Sequence, residues 1–247
     1  MTPMTDTTIR LAKRVAEMMP CSRAEADKYI AGGYVSVDGQ VVEEAGARVA
    51  DDQEVTLDQD ATLVELTPVT ILLHKPAGLN AGLDNAGAPA SSLLTQEALV
   101  LPDHGRQRFL KRHLTNLTLA SPLETHASGL VVYTQDFRVA RKLVDEGLRV
   151  EQEFIVEVAG TIREGGLALL NHGLPFNGKE IAPLKASWQN ETRLRFAVKG
   201  VKPGQLAHMC RMVGLTVVST KRLRVGRVPL ASLPVGQWRY LHEYERF

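Results

Sequence analysis

The chain has 247 residues, 44% of them hydrophobic and 23% charged, with a formal net charge of +1. This composition fits an ordinary soluble globular protein, with room for one large domain or a small one plus a medium one. It excludes a membrane-spanning helix, since no apolar run approaches the roughly eighteen residues a span needs, and the polar opening from Met1 to Thr8 has no secretory core.

The charge is unevenly placed. Residues 1–60 hold 6 basic and 12 acidic residues, a balance of −6, which leaves 23 and 16, or +7, for the rest. A basic larger part suits a polyanionic partner. Cys21 and Cys210 lie far apart and form no metal-spaced pair, so the expectation is a reduced, cytoplasmic protein.

In chain order, Ile9, Val15, Met18 and Met19 fall at roughly helical spacing with Leu11 and Ala12 beside them, and Arg10, Lys13 and Arg14 give a basic edge. Pro20 ends that helix. Ser22 with Glu25 is the capping-box pattern of a second one, whose packing face reads as Ala24, Ala26, Tyr29 and Ile30 before Gly32-Gly33 stops it. Tyr34–Val37, Asp38-Gly39 and Gln40–Val42 read as a β-hairpin, followed by short strands at Val49 and Val55–Leu57. Helix, capped helix and hairpin, with Cys21-Ser22-Arg23-Ala24-Glu25-Ala26 and Gly33-Tyr34-Val35-Ser36-Val37-Asp38-Gly39, resemble the S-four RNA-binding domain over residues 8–58. Any one of these cations alone reads as a solvated helix face. The resemblance implies that Arg10, Lys13, Arg14, Ser22, Arg23 and Lys28 meet the phosphates of a structured RNA. By repulsion, the acidic half with Glu43, Glu44, Asp51 and Asp52 should face away from it.

Residues 59–68 read as a linker, and 69–247 as a second domain. Val69–Leu73 is a buried-strand candidate that leaves through the tight turn His74-Lys75-Pro76-Ala77-Gly78, whose Lys75 is a further candidate RNA contact. Residues 79–90 read as a mobile loop and Ser91–Val100 as helical. Between His104 and His113, Arg106, Arg108, Lys111 and Arg112 interleave with Phe109 and Leu110, which suits a loop or strand on an RNA backbone. At 121–134 a lone carboxylate, Glu124, sits between turn formers and Gly129, and a β-type run begins at Leu130. A carboxylate on an open turn at the edge of a rigid strand is a common place for chemistry.

Beyond it, Asp136–Glu146 reads as an amphipathic helix through Phe137, Ala140, Leu143 and Val144, ended by Gly147. Glu151–Ala159 alternates as a half-buried strand, 163–173 as a short helix, and Thr192–Lys199 as another strand. Pro203-Gly204 leads into a helix with Leu206, Met209, Cys210 and Val213. Leu215–Val225 is a last long strand bearing Lys221, Arg222 and Arg224, before the tail Leu233-Pro-Val-Gly-Gln-Trp238-Arg. Strands mixed with helices without strict alternation point to α+β.

An S-four domain, a linker, Lys-Pro-x-Gly after a strand, the 121–134 turn and the Leu-Pro-x-Gly-x-Trp-Arg tail succeed one another over nearly the whole chain. This succession resembles the S-four-bearing, RsuA-type branch of the RNA pseudouridine synthases. The resemblance implies a mixed, largely antiparallel sheet flanked by helices, with a cleft for a flipped-out uridine. It further implies isomerisation of uridine in structured, usually ribosomal, RNA without cofactor or metal, by a protein acting as a monomer.

The departures fall on the cleft. The family pattern Gly-Arg-Leu-Asp-x-Asp-x-x-Gly-Leu is here Ser121-Pro122-Leu123-Glu124-Thr125-His126-Ala127-Ser128-Gly129-Leu130. The nucleophilic aspartate maps to Glu124, one methylene longer, and a misplacement of about 1 Å can cost roughly a hundredfold in rate. The neighbouring arginine maps to Pro122. The base-stacking tyrosine maps to Phe154, and the cation that pairs with the aspartate maps to Ala207 of Gln205-Leu206-Ala207. A carboxylate buried without its partner is expected to have a raised pKa and to be a poorer nucleophile.

Two readings stand: an RNA-binding protein whose catalysis is lost or impaired, and a divergent synthase with Glu124 as nucleophile and Phe154 stacking on the base. A cation on Glu124 would favour the second, with Lys75, Arg112 and Lys221 as candidates and His208 available on a rotated helix. A metal hydrolase is set aside, since Glu124 and His126 give two ligands at best against the three or four a site needs.

Overall fold

Ser22 and Glu25 form the capping box their spacing requires. Ser22 Oγ accepts the Glu25 N–H at 3.2 Å, and the Glu25 carboxylate accepts the Ser22 N–H at 2.7 Å. The computed structural model describes residues 8–63, 67–84, 86–100 and 108–247. It divides into two units, one holding the described residues up to Pro68 together with those from Arg108 to Thr115, the other holding the remainder.

In the first unit, β1 (Ile9–Arg10) and α1 (Leu11–Met18) precede α2 (Arg23–Ala31), and β2 (Val35–Val37), β3 (Gln40–Val41), β4 (Arg48–Val49) and β5 (Val55–Leu57) follow. Leu11, Ala12 and Val15 pack with Ala26, Ile30, Val35, Val49 and Val55. Two expected packing residues lie outside this core: Ala24 is exposed and Met18 is 53% exposed. Ala24 sits about 200° around α2 from Ala26, and Met18 is the last residue of α1. Asp38 and Gly39 both take positive φ, 50° and 77°, as a type I′ hairpin turn demands.

The second unit is built on one mixed sheet. It comprises β6 (Thr70–Lys75), β7 (Thr118–Ser121), β8 (Ser128–Thr134), β9 (Glu151–Gly160), β10 (Lys185–Asn190), β11 (Arg193–Lys199), β12 (Leu215–Val225), β13 (Val228–Pro229) and β14 (Trp238–Tyr240). The strand order is β10-β11-β9-β12-β8-β6-β14, with β7 on β8 and β13 on β12. Every described ladder in it is antiparallel except β12 with β8, where Lys221 faces Ser128 and Arg222 faces Gly129. Every residue of β6 is buried, as are all but the first of β8, so their apolar runs mark the sheet's centre. The fold is α+β, as the sequence predicts.

Gly129 is required where β8 meets β12. Its φ is +116°, and a Cβ there would lie 2.2 Å from the Arg222 carbonyl oxygen. Helices α3 (Phe137–Ala140), α4 (Gly166–His172) and α5 (Gln205–Met212) complete the unit. One core cluster joins Leu72, Leu130 and Val132 to Leu143, Val150 and Leu230.

Three expectations fail for tertiary reasons. The region 91–100 is helical only in a 3-10 turn at Ala90–Leu93. Beyond it Leu99 bridges to Trp238, and Val100 and Trp238 exchange backbone bonds with the opposing segment. The loop over 79–90 is anchored: Asn80 bonds Ala88 and Ala90, and Leu123 N–H donates to Ala81. The helix over 136–146 is present, α3 running directly into a π turn at Arg141–Asp145, but its expected packing face is not: Phe137 is 75% and Val144 55% exposed, and only Leu143 is buried.

Candidate functional site

The turn between β7 and β8 carries Glu124, and two buried cations shape its backbone. Arg222 on β12 is 2% exposed. Its guanidinium donates to the carbonyls of Ser121 at 2.8 Å, Pro122 at 2.9 Å and Leu130 at 2.7 Å, and to Gln152 Oε1 at 3.0 Å. Lys75, at the end of β6, is fully buried, and its ammonium donates to the carbonyls of Pro76, Leu79 and Thr125 at 3.0, 2.8 and 3.1 Å. Burial, with the nearby Arg222 charge, pushes the Lys75 pKa down to about 8. The anchored loop closes the other side: Gly78 N–H donates to the Thr125 carbonyl at 2.7 Å and Thr125 Oγ1 to Asp84 at 2.6 Å.

The Glu124 side chain is 24% exposed, so it is not the buried carboxylate the sequence leads one to expect. Its Oε1 accepts the Gly204 N–H at 2.7 Å and lies 3.9 Å from His126 Nε2. Gly204, at φ 75°, caps the N-terminus of α5, so the carboxylate faces the positive end of a helix, equivalent to about half a charge. Among the described residues no lysine or arginine is within ion-pair reach of Glu124.

The expected cations are elsewhere. Lys75 is committed to three carbonyls, which also removes it from the RNA-facing set. Lys221 lies on β12 opposite Ser128 with no ion pair among the described residues, and Arg112 belongs to the first unit. His208 turns away, with Nε2 3.1 Å from the Pro175 carbonyl, Nδ1 3.1 Å from Arg211, and its ring 5.3 Å from that of Phe176.

Beside Glu124 opens a cavity of about 200 Å³ whose wall includes Pro122, Phe154, Lys202, Leu206 and Arg222. Phe154, on β9 and 4% exposed, thus sits in the same cavity as Glu124, while Ala207 is exposed on α5 and brings no charge. The volume is below the roughly 300 Å³ at which small-molecule pockets begin. Among the described residues no cluster of three potential metal ligands occurs.

Arg10, Lys13, Arg23 and Lys28 are exposed in the first unit. Lys13 has Glu17 at 3.7 Å and Arg14 has Asp51 at 2.9 Å. The acidic half is therefore not cleanly segregated from the basic helices, because Asp51 neutralises one of their cations. Ser22 is occupied as the cap of α2. Arg106 lies outside the described residues. Arg108 bonds Asp58 and the Gly33 carbonyl and stacks 4.6 Å over the Tyr34 ring. Lys111 is exposed, and its N–H donates to Glu43 at 2.8 Å.

Sequence reasoning missed Gly204 as the partner of Glu124, Arg222 as the clamp on its turn, and Lys202 at the cavity wall. The Pro203-Gly204 step before a helix was the available signal for the first. Nothing local marks the long-range bonds of Arg222.

Residues 9–55 match the S4 domain family. The chain is 28% identical to an RNA pseudouridine synthase of Aquifex aeolicus over 96% of this chain and 94% of that one. It is 25% identical to ribosomal small subunit pseudouridine synthase A of Escherichia coli over 96% and 98%. A crystal structure of a pseudouridylate synthase shares the fold, with a TM-score of 0.59, 21% identity and coverage of 95% and 96%. No described helix is long and apolar enough to cross a membrane. The motif order, the S4 match and likeness over almost all of the chain support one family: the chain is similar to the RNA pseudouridine synthases, and most of all in its S-four unit and motif order to their RsuA-type branch.

Proposed function

We propose that the protein binds structured ribosomal RNA, as a cytoplasmic monomer, through an S-four domain at 8–58 joined by the 59–68 linker to a synthase-type domain at 69–247, and that it has lost catalysis or kept little of it. The observation that carries this reading is the environment of Glu124. The carboxylate at the nucleophile position takes a backbone N–H from Gly204 at 2.7 Å, where the family pairs it with a cation that Ala207 cannot supply. A helix terminus stabilises the anion by about 0.3–1 kcal/mol at an accessible site, less than a desolvated ion pair with a side chain gives, and it orients the carboxylate toward the helix. The cavity beside it is small, and Pro122 puts no charge or N–H where the family has an arginine.

One observation favours the alternative, a divergent synthase with Glu124 as nucleophile and Phe154 stacking on the base. His126 stands 3.9 Å from Glu124, and as an imidazolium it supplies the absent charge. Tritium release from RNA labelled at uridine carbon 5, with Glu124→Ala as control, separates the two. Binding without release supports the proposal. Release that vanishes in the control overturns it and makes Glu124 a working nucleophile.

A further inference from the structure

Next to the Glu124 cavity, and sharing Gly200 and Lys202 with it, runs a larger groove of about 610 Å³. Lys179, Lys185, Lys199 and Lys202 line it, all four exposed, and among the described residues none has a carboxylate within 4 Å. Of the two carboxylates on its wall, Glu151 is paired with Arg224 at 2.6 Å and also feels the Lys185 and Lys199 charges, and Glu180 is the other, so four ammonium groups face two carboxylates. The groove therefore has an excess of positive charge in a chain whose overall net charge is only +1.

The lysines stand on fixed backbone. Lys179 closes a two-residue turn, exchanging both backbone bonds with Phe176 across Asn177 and Gly178 at φ 51° and 74°. Lys185 and Lys199 lie on β10 and β11, where Lys185 faces Ala197. The two side chains thus share a face as diagonal neighbours about 7–8 Å apart. Lys202 is held by its N–H to Gln205 Oε1 at 3.1 Å, two residues before the Gly204 N–H that bonds Glu124. Rigid anchors carrying mobile cations suit a ligand with repeated negative charge and variable spacing, which is what a nucleic-acid backbone presents. A lysine on the edge strand β10 also guards a sheet against pairing with other chains. That role does not account for Lys179 and Lys202, which lie off the strand.

We infer that this lysine groove is a single-stranded RNA site, which takes the backbone of the strand running out of the Glu124 cavity and works apart from the S-four helices. The inference rests on the RNA-binding reading above. It gives the second unit a contact of its own: structured RNA on the S-four helices, an unpaired flank in the groove.

The test is binding of a fluorescein-labelled twelve-residue oligouridine, beside a structured ribosomal RNA fragment, to the full chain over a salt series. Lys179→Glu, Lys185→Glu and Lys199→Glu together should weaken oligouridine binding at least tenfold. The slope of log affinity against log salt should fall by about 2, since each single-strand phosphate contact contributes about 0.7. Arg23→Glu with Lys28→Glu should weaken the structured fragment and leave oligouridine within twofold. The same three lysines changed to Gln, which cannot repel RNA, should show a smaller loss in the same direction, and unchanged tryptophan emission confirms folding. Oligouridine affinity and salt slope equal to wild type in the groove variants overturn the inference. A wild-type chain that holds the structured fragment but no oligouridine overturns the groove alone, and one that holds neither overturns both the groove and the RNA-binding reading.

Discussion

Arg222→Met tests whether the Glu124 turn is shaped by a buried cation. The side chain gives four hydrogen bonds, and no carboxylate among the described residues neutralises it. Met fills most of the volume of the stem but leaves those acceptors bare. The carbonyls of Ser121 and Leu130 belong to buried residues and cannot readily find water, at about 1–3 kcal/mol each. Pro122 and Gln152 line the cavity, and their oxygens are free to take water at little cost. Against this loss stands relief from desolvating an unpaired guanidinium, an effect of several kcal/mol that can cancel or exceed a buried ion's interactions. The bonds to backbone carbonyls should prevail, with a net loss near 3 kcal/mol and a fall in melting temperature of roughly 6–12 °C. Arg222→Lys should recover little of it, because an ammonium cannot reproduce the planar fork. Urea unfolding followed by tryptophan emission measures this selectively, since Trp188 and Trp238 both lie in the second unit. A Met variant as stable as wild type, with the same urea slope, refutes the reasoning and means that the charge costs as much as its bonds return.

Gly129→Ala should cost more than about 4 kcal/mol, because the added Cβ meets the Arg222 backbone at 2.2–2.9 Å and φ is +116°; soluble yield and tryptophan emission report it. Burial, helped by the Arg112 charge, pushes the His113 pKa down to about 4, below its usual 6.5, so the unfolded chain binds more protons between those values. Stability is full above pH 6.5 and should fall by up to about 3 kcal/mol as pH drops from 6.5 to 4. Circular dichroism melts at pH 7 and 5 should show this shift, reduced in His113→Phe; an undiminished shift assigns it to other groups. Ser22→Ala removes the α2 cap and should cost the first unit about 1 kcal/mol, read from near-ultraviolet tyrosine signals in the same melts.

What was legible in the sequence was local chemistry. Ser22 with Glu25 and Asp38-Gly39 announce a helix start and a hairpin because their bonding partners lie within four residues. The buried runs of β6 and β8 declare the sheet's centre by composition alone. What was not legible depends on distant partners. The segment 95–100 has the residues of a helix, yet lies along Trp238. Residues 79–90 have the composition of a mobile loop, but Thr125 and Leu123 tie them down. The candidate site divides in the same way. The turn and its carboxylate were readable from the motif, whereas the Gly204 clamp on Glu124 spans eighty residues of sequence.

Set against the family motif, the residues around the cavity form two groups. Lys75, Gly129 and Arg222 fix the turn's backbone, and each carries a cost: two are buried cations, and the third is a glycine at a conformation other residues avoid. Pro122, Glu124, Phe154 and Ala207 are the positions to which the resemblance assigns the reacting nucleotide and its nucleophile, and all four depart from the family pattern. The first group is required by the fold, since its loss destabilises the turn, whereas the exposed Ala207 position tolerates any charge. On the proposed reading, the chain uses the shape of the turn without its chemistry. With Pro122 and Ala207 neutral, Lys202 at the cavity wall and the three lysines beyond it carry the exposed positive charge from the cavity into the groove. A binding surface needs that distribution, whereas a synthase needs the charge beside its nucleophile.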